Sequence, residues 1–464
     1  MLHIFTLRMA FGICIILWSA TPLLAQTGRR PMDDGYRGIW YFNQPSKDEY
    51  KYKYSGGFAT YPQQHIPIAY YSKEANKTFF CYGGTVKGKR ELLHMVSYYD
   101  HATGKVPRPT ILLNKKTDDA HDNPTLMLDD QGHIWIFSSA HGTARPAYIH
   151  RSKKPYAIDE FEQVLETNFS YPQPWHLPGH GFLFLHTRYS PGRNLFWMTS
   201  ADGLTWNQPQ PLARMVQGSY QISWRDGTRV GTAFDYHPQG GGLNARTNLY
   251  YLETRDGGKT WRTVEGKVVQ TPLTTPDNPA LVHDYEKEKR LVYLKDLAFD
   301  GDGNPVILYL TSKGYQSGPA NDPRTWHTAR WTGDRWEIRP FTTSDHNYDH
   351  GSLYIEPDGT WRIIAPTDPG PQRYGTGGAM VLWTSVDQGQ TWKKVKQLTY
   401  DRHRNHTYAR KPVHAHPDFY ALWADGDVWQ PSESCLYFTN KTGDHVWRLP
   451  PVMTDDFAQP EIAW

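Results

Sequence analysis

Cysteine, net charge and long apolar runs are all scarce in this chain. Three cysteines among 464 residues cannot form the disulfide framework of a small secreted scaffold, so a buried core must supply the stability. Lys and Arg number 50 against 47 Asp and Glu, leaving a formal charge of +3. That excludes the strong basic field of a nucleic-acid or anionic-membrane binder. The one marked apolar run, Met9 to Ala20, falls short of the roughly 20 residues that a membrane-spanning helix needs. Helical periodicity is missing too; the only polar stretch of helical character, near Tyr156–Val164, is short. No G-x-S-x-G, Walker or dinucleotide motif is present, and no carboxylate pair at hydrolase spacing can be picked out.

Glycine (39), proline (34) and aromatic residues (14%) are abundant and spread along the chain. This composition excludes collagen-like, coiled-coil and disordered classes and favours an all-β domain of short strands and tight turns. Abundant rings without net charge suit a carbohydrate-binding surface, because sugars lay their apolar faces on aromatic planes. Arg8, the Met9–Ala20 run and the small Ala25 make residues 1–25 read as a secretory signal peptide. The mature chain, 26–464, is then secreted or periplasmic and carries no membrane span. Cys14 leaves with the leader. Cys81 and Cys435 remain as buried thiols, or pair if the chain ends meet.

One motif recurs. Ser385 to Trp392 (SVDQGQTW) and Thr254 to Trp261 (TRDGGKTW) fit S/T-x-D-x-G-x-T-W, and Thr199 to Trp206 (TSADGLTW) fits with a one-residue offset. This is the Asp-box turn. Its Asp accepts backbone N–H groups, its Gly takes a positive φ, and its Trp packs beneath. Weaker hairpin signals fill the intervals, such as Asp130-Gln131-Gly132, Asp300-Gly301-Asp302-Gly303 and Pro357-Asp358-Gly359, each before a short apolar strand. At about 40–65 residues per blade, this pattern predicts a seven-bladed β-propeller forming a single domain. The two chain ends are expected to share one blade and so close the ring. A two-sheet sandwich is the alternative.

Propellers bind ligands where the loops entering each blade converge. Asp118-Asp119-Ala120-His121-Asp122-Asn123 precedes one strand, and His141 follows His121 by 20 residues, the length of one out-and-back hairpin. The two imidazoles should therefore share one end of one blade. Tyr171 and Arg188, 17 apart, bracket the next such element, with His186 a weaker candidate on the same strand. Tyr236, a Gly-rich loop (Gly240-Gly241-Gly242) and Arg246 follow, then His346 and His350 in DHNYDH, and His414 and His416 in RKPVHAH. The His-x-His and His-x₃-His spacings can bind zinc, but no supporting Cys or carboxylate pattern accompanies them, so these residues read instead as the polar lining of a sugar groove. No cofactor is assigned; a structural calcium or zinc ion is left open. His, His, Tyr and Arg together suit proton abstraction alpha to a carboxylate, as at C5 of a uronic acid. A cation there makes the enolate-like intermediate reachable, a base takes the proton and an acid protonates the leaving oxygen.

Several segments resemble a known family. Gly35-Tyr36-Arg37-Gly38-Ile39-Trp40-Tyr41, Lys53-Tyr54-Ser55-Gly56-Gly57, Lys77 to Gly84 (KTFFCYGG) and Arg246 to Tyr251 (RTNLYY) are similar to those of the BNR-repeat seven-bladed propeller polysaccharide lyases. That group includes ulvan lyases and L-rhamnose-α-1,4-D-glucuronate lyases acting on arabinogalactan. The resemblance implies Tyr171 as acid/base with a His partner, and Arg188 with a His or Arg246 at the substrate carboxylate. Asn123, Tyr236, Arg246 and His350 are the expected substrate-binding residues beside the catalytic set His121, His141, Tyr171 and Arg188. The implied partner is an acidic plant or algal polysaccharide, and the implied reaction is β-elimination at a rhamnose–glucuronate linkage. Ulvan lyases of the group often carry a zinc site with a Cys ligand, which is not placed here. Related α-L-rhamnosidases hydrolyse the same bond with a lone His from the N-terminal segment, where this chain reads Thr60-Tyr61-Pro62-Gln63-Gln64-His65. An ulvan lyase and a non-catalytic sugar-binding propeller are further alternatives. A sialidase would need an arginine triad with a Tyr/Glu pair, and no convincing set is found.

Overall fold

The computed structural model describes residues 29–61 and 64–464. The proposed leader, residues 1–25, lies outside the described residues. Among these, seven antiparallel sheets follow one another around a ring. The inner strands are Ala69–Ser72, Pro124–Leu128, Ser170–Leu177, Gln221–Asp226, Leu291–Phe299, Ser352–Ile355 and Asn405–Arg410, numbered here as blades one to seven. Burial falls from inside to outside, as a radial sheet requires. In blade two, Pro124–Leu128 is wholly buried, whereas the outermost strand, Phe161–Thr167, alternates with exposed positions. The Tyr156–Val164 stretch that hinted at a helix is a turn running into that outer strand. Helical structure among the described residues is confined to three short 3-10 turns, and no helix is long and apolar enough to cross a membrane.

The Asp boxes form the expected turns. Asp387 accepts the Thr391 amide and hydroxyl at 2.9 and 2.6 Å, and Asp256 does the same for Thr260 at 2.9 and 2.7 Å. Gly203 (φ +75°) leaves no room for a side chain, because an added Cβ would lie 2.4 Å from the Trp135 ring of blade two. The box thus fixes a turn of blade three against its neighbour.

The chain ends meet at the outer edge of blade one, as expected: Met32 bridges to Thr110, and Phe457–Ala458 pairs with Val106–Pro107. No strand is shared: each blade is contiguous in sequence. The N-terminal segment threads the seam between blades seven and one, where Gly38 bridges to both Ser434 and Gly84. Beyond the seam, a separate hairpin, Trp40–Pro45 with Tyr52–Gly57, crosses blade seven. Gly57 allows that crossing, since a Cβ there would sit 1.7 Å from the Asp425 carbonyl oxygen. Cys81 and Cys435 are both free thiols.

Candidate active site

A partly enclosed cavity opens at the mouth where the inner strands begin. Four blades and the N-terminal hairpin build its wall. Blade two contributes a 3-10 turn, Ala120–Asp122, capped by Asp119, whose Oδ1 accepts the His121 amide at 3.0 Å. The same carboxylate meets both imidazoles: Oδ1 lies 2.6 Å from His121 Nδ1, and Oδ2 lies 2.7 Å from His141 Nδ1. The two rings stack with centroids 4.0 Å apart and planes 17° apart. Asp122 holds the second histidine's loop, accepting the His141 amide at 2.7 Å and a two-pronged contact from Arg145 at 2.8 and 3.0 Å.

Electrostatics follow from this packing. Burial pushes the His121 imidazole below its ordinary range, His141 pushes the same way, and Asp119 partly opposes both. His121 is therefore neutral near pH 7 and able to accept a proton. Burial would raise the Asp119 carboxyl, but the two histidines hold it well below the usual carboxylate range. Asp119, His121 and His141 could hold a cation, each having a ligand atom within 4.8 Å of the others. In this geometry, however, both Nδ1 atoms sit at hydrogen-bond distance from the carboxylate.

Tyr171 enters from blade three. It occupies a bulge between Ser170 and Gln173, with φ +52°. A left-handed tyrosine costs about 1–3 kcal/mol and persists only where the surroundings impose it. Its hydroxyl lies 3.2 Å from that of Tyr189, and its ring stands edge-on to Tyr220 and His121, with centroids 5.3 and 6.2 Å away. Burial, then the neighbouring Tyr189 and Tyr220, keeps this phenol protonated well above its ordinary range.

Two guanidiniums complete the wall. Arg246 is sandwiched between Tyr220 and Tyr293 at 4.7 and 4.6 Å and donates to Tyr348 Oη at 3.1 Å. Arg193 lies over Tyr189 at 5.3 Å. Neither forms an ion pair within 4.0 Å among the described residues. Just behind them, Lys53 donates to Asn244. Burial, with Arg246 and Arg193, pushes its ammonium down to about 6. Two guanidiniums this close, neither ion-paired within 4.0 Å among the described residues, create a field that favours the neutral Lys53 amine and that an anion would relieve.

Of the eight sequence-predicted site residues, His121, His141, Tyr171 and Arg246 line this cavity and the other four do not. Arg188 is displaced because strand alternation puts it on the face of His186 and Phe196; its guanidinium lies 6.0 Å from the Phe196 ring. Arg193, which opens the next strand after the Ser190-Pro191-Gly192 turn, lines the cavity instead. Asn123 is spent on backbone: its Nδ2 donates to the carbonyls of Phe58, Ala59 and Tyr61. Tyr236 donates to Glu286. His350 is buried against Tyr408, its ring centroid 4.9 Å away. Gln64 reaches the cavity, and the fully buried His65 packs edge-on against Tyr171 at 5.5 Å; Gln63 lies outside the described residues.

The N-terminal hairpin was missed by the sequence reading as a source of site residues. Asn43 pairs across it with Tyr54 and donates to the hydroxyls of Tyr41 and Tyr54 at 2.9 and 2.8 Å. Tyr61, just beyond, lies 2.8 Å from His121 Nε2. The alternation of Tyr41 and Asn43 along one strand was the available signal.

Comparison with known proteins agrees with this architecture. The family model described as "BNR repeat-containing family member" matches residues 68–344. An ulvan lyase of Nonlabens ulvanivorans is 24% identical over 434 residues, covering 81% of this chain and 86% of that protein. An ulvan lyase of Alteromonas sp. (strain LOR) is 24% identical over 385 residues, covering 71% and 76%. Among solved structures, a PL25 ulvan lyase superposes with a TM-score of 0.69 at 18% identity, covering 88% of this chain and 96% of that one. A PL25 structure bound to -[GlcA(1-4)Rha3S]- gives 0.68 at 17%, with the same coverage. With seven blades in place and the family model spanning more than half of its length, the chain belongs to the BNR repeat-containing family.

Proposed function

We propose that this protein is a polysaccharide lyase that removes rhamnose from O4 of a glucuronate in an arabinogalactan-type glycan, by β-elimination. The observation that carries the reading is the cavity lining. Two imidazoles, several phenols and two guanidiniums face it, and among the described residues no carboxylate does. Hydrolysis by an acid/base pair of carboxylates needs what this wall lacks. Elimination needs what it has.

The uronate carboxylate pairs with Arg193 and Arg246, which lowers the cost of charge building on it when C5 loses its proton. In a glucuronide, the C5 hydrogen and O4 project from the same face of the ring, so base and acid must stand together on one side. Tyr171 and His121 do so. The neutral His121, its tautomer held by Asp119 at Nδ1, serves as base; the protonated Tyr171 serves as acid. The C5–H electrons become the C4=C5 double bond, the C4–O4 bond breaks, and O4 leaves with the Tyr171 proton. Proton return from His121 to Tyr171 closes the cycle, and no water is consumed. A polymeric substrate outside the cell fits the exported chain that residues 1–25 imply.

The curated relatives favour a second reading in which the same linkage is cut in ulvan. Incubation with gum arabic and with ulvan separates the two. Expected with gum arabic is free rhamnose accompanied by ultraviolet absorbance of the unsaturated uronide. Rhamnose released without that absorbance is hydrolysis and overturns the elimination. Tyr171→Phe should cut turnover by about 10²–10⁴ with oligosaccharide affinity retained. Wild-type turnover in that variant removes Tyr171 from the chemistry, and affinity without turnover in the wild type identifies a binding module.

A further inference from the structure

Blades seven and one meet without a shared strand, and one end of their seam holds a group of side chains with no part in the cavity. His101 lies in the turn after Leu93–Asp100 of blade one. His416 and Asp418 lie in the blade-seven loop between Asn405–Arg410 and Ala421–Gly426. That loop is already docked on blade one: the amide of Val413 donates to the Ala69 carbonyl at 2.9 Å, and Phe419 stacks on Phe80 with centroids 5.7 Å apart. The His414-x-His416 pair noted in the sequence is split here. His414 turns to Arg225 Nη2 at 3.1 Å, whereas His416 meets His101 with ring centroids only 3.8 Å apart.

His101, His416 and Asp418 each bring one ligand atom within 4.8 Å of the others. Two imidazoles and a carboxylate form a donor set that suits zinc-class ions, with a further tetrahedral position for water beside the exposed Asp418. An independent observation also points to a ligand. Among the described residues His101 Nδ1 is buried with no hydrogen-bond partner, while its Nε2 lies 2.8 Å from Thr78 Oγ1. The hydroxyl can accept the Nε2–H, which fixes the tautomer with its lone pair on the orphaned Nδ1. Metal-ligating histidines are oriented in this way. The Asp418 amide donates to His416 Nδ1 at 3.1 Å. Metal at that nitrogen would replace the contact, a local change within an exposed turn.

We propose that His101, His416 and Asp418 bind one divalent transition-metal ion of the zinc class, which staples blade seven to blade one across the ring seam. The test uses the full chain, stripped by chelator and dialysed against Zn²⁺ or Mg²⁺, with metal content and thermal unfolding as readouts. Expected is one equivalent of zinc removed by His416→Ala or His101→Ala, and an unfolding midpoint raised by about 3 °C when free zinc is about 100 times its Kd. Mg²⁺ should give neither effect. His141→Ala, which alters the other His–Asp group, should keep both the equivalent and the shift. Zinc uptake and stabilisation unchanged in His416→Ala, their loss in His141→Ala, or no uptake by the wild type would each overturn the site.

Discussion

His121 and His141 lie flat against one another, centroids 4.0 Å apart, each directing Nδ1 at a different oxygen of Asp119. A charge on His141 at that separation disfavours a second charge on His121. Asp119 thus has two tasks: it sets both tautomers and it tempers the fall in the His121 pKa. Replacing it by Asn keeps the shape and removes the charge. Asp119→Asn should lower kcat by roughly 10²–10⁴. Because Asp119 raises the His121 pKa against burial, its loss should move the acid limb of the pH–rate profile to lower pH. A limb that moves to higher pH, or stays in place, would show that His121 is not the titrating base.

Arg193 and Arg188 provide a matched pair, five residues apart on neighbouring strands. The first lines the cavity beside Tyr189 and the second packs over Phe196. Arg193→Ala should reduce kcat/KM by about 10²–10³, as expected for loss of a donor to developing charge. Arg188→Ala should leave it within about twofold. Steady-state kinetics on the same uronide settle the contrast, and equal losses would return the carboxylate-binding role to Arg188.

Asn123 shows how a residue beside a catalytic histidine can be structural. Its amide gathers three carbonyls from the strand end and turn that carry Tyr61. In Asn123→Ala the Phe58 and Ala59 carbonyls keep their bonds from the Tyr61 and Gly83 amides, but the Tyr61 carbonyl loses its Asn123 donor, a loss of about 1–3 kcal/mol. Denaturant unfolding should show a lower midpoint at unchanged slope. A variant of full stability with a raised KM would instead make Asn123 a substrate contact.

The fold was legible because it is written locally. Asp-box turns such as Ser385–Trp392 and hairpin signals such as Asp130-Gln131-Gly132 mark turns within a few residues, and repetition supplies the ring. The histidine pair was legible for the same reason: a hairpin of known length returns to its own mouth. Arg188 packs by Phe196 and not in the cavity lining, a placement that spacing does not reveal because it gives distance along a strand but not the face, and a one-residue change reverses the face. The N-terminal hairpin was hidden as a source of site residues because Asn43, Gln44 and Tyr54 reach the cavity from outside any blade, through contacts between residues far apart in sequence. Ring closure was legible in part: the two ends do meet on blade one, through Met32 and Phe457–Ala458, but nothing in local sequence marks the threading of Gly38 between Gly84 and Ser434.

Buried neutral histidines also set the acid limit of the fold. His150 and His186 are almost fully buried, and burial pushes each down to about 3 from an unperturbed 6.5. Their folded-state values lie below the unfolded value, so between the two the unfolded chain binds more protons. Stability is then fully present above about pH 6.5 and is lost as pH falls below it. By pH 5 each of the two costs about 2 kcal/mol. His65, His346 and His350 are shifted in the same direction by burial and add to the slope. The histidine contribution to the unfolding midpoint should therefore be flat between pH 7 and 8 and fall steeply from pH 6.5 to 5. His186→Phe, which keeps an aromatic ring against Phe184 and Phe196, should flatten that fall. An unchanged slope in this variant would mean that the acid sensitivity arises from carboxylates instead.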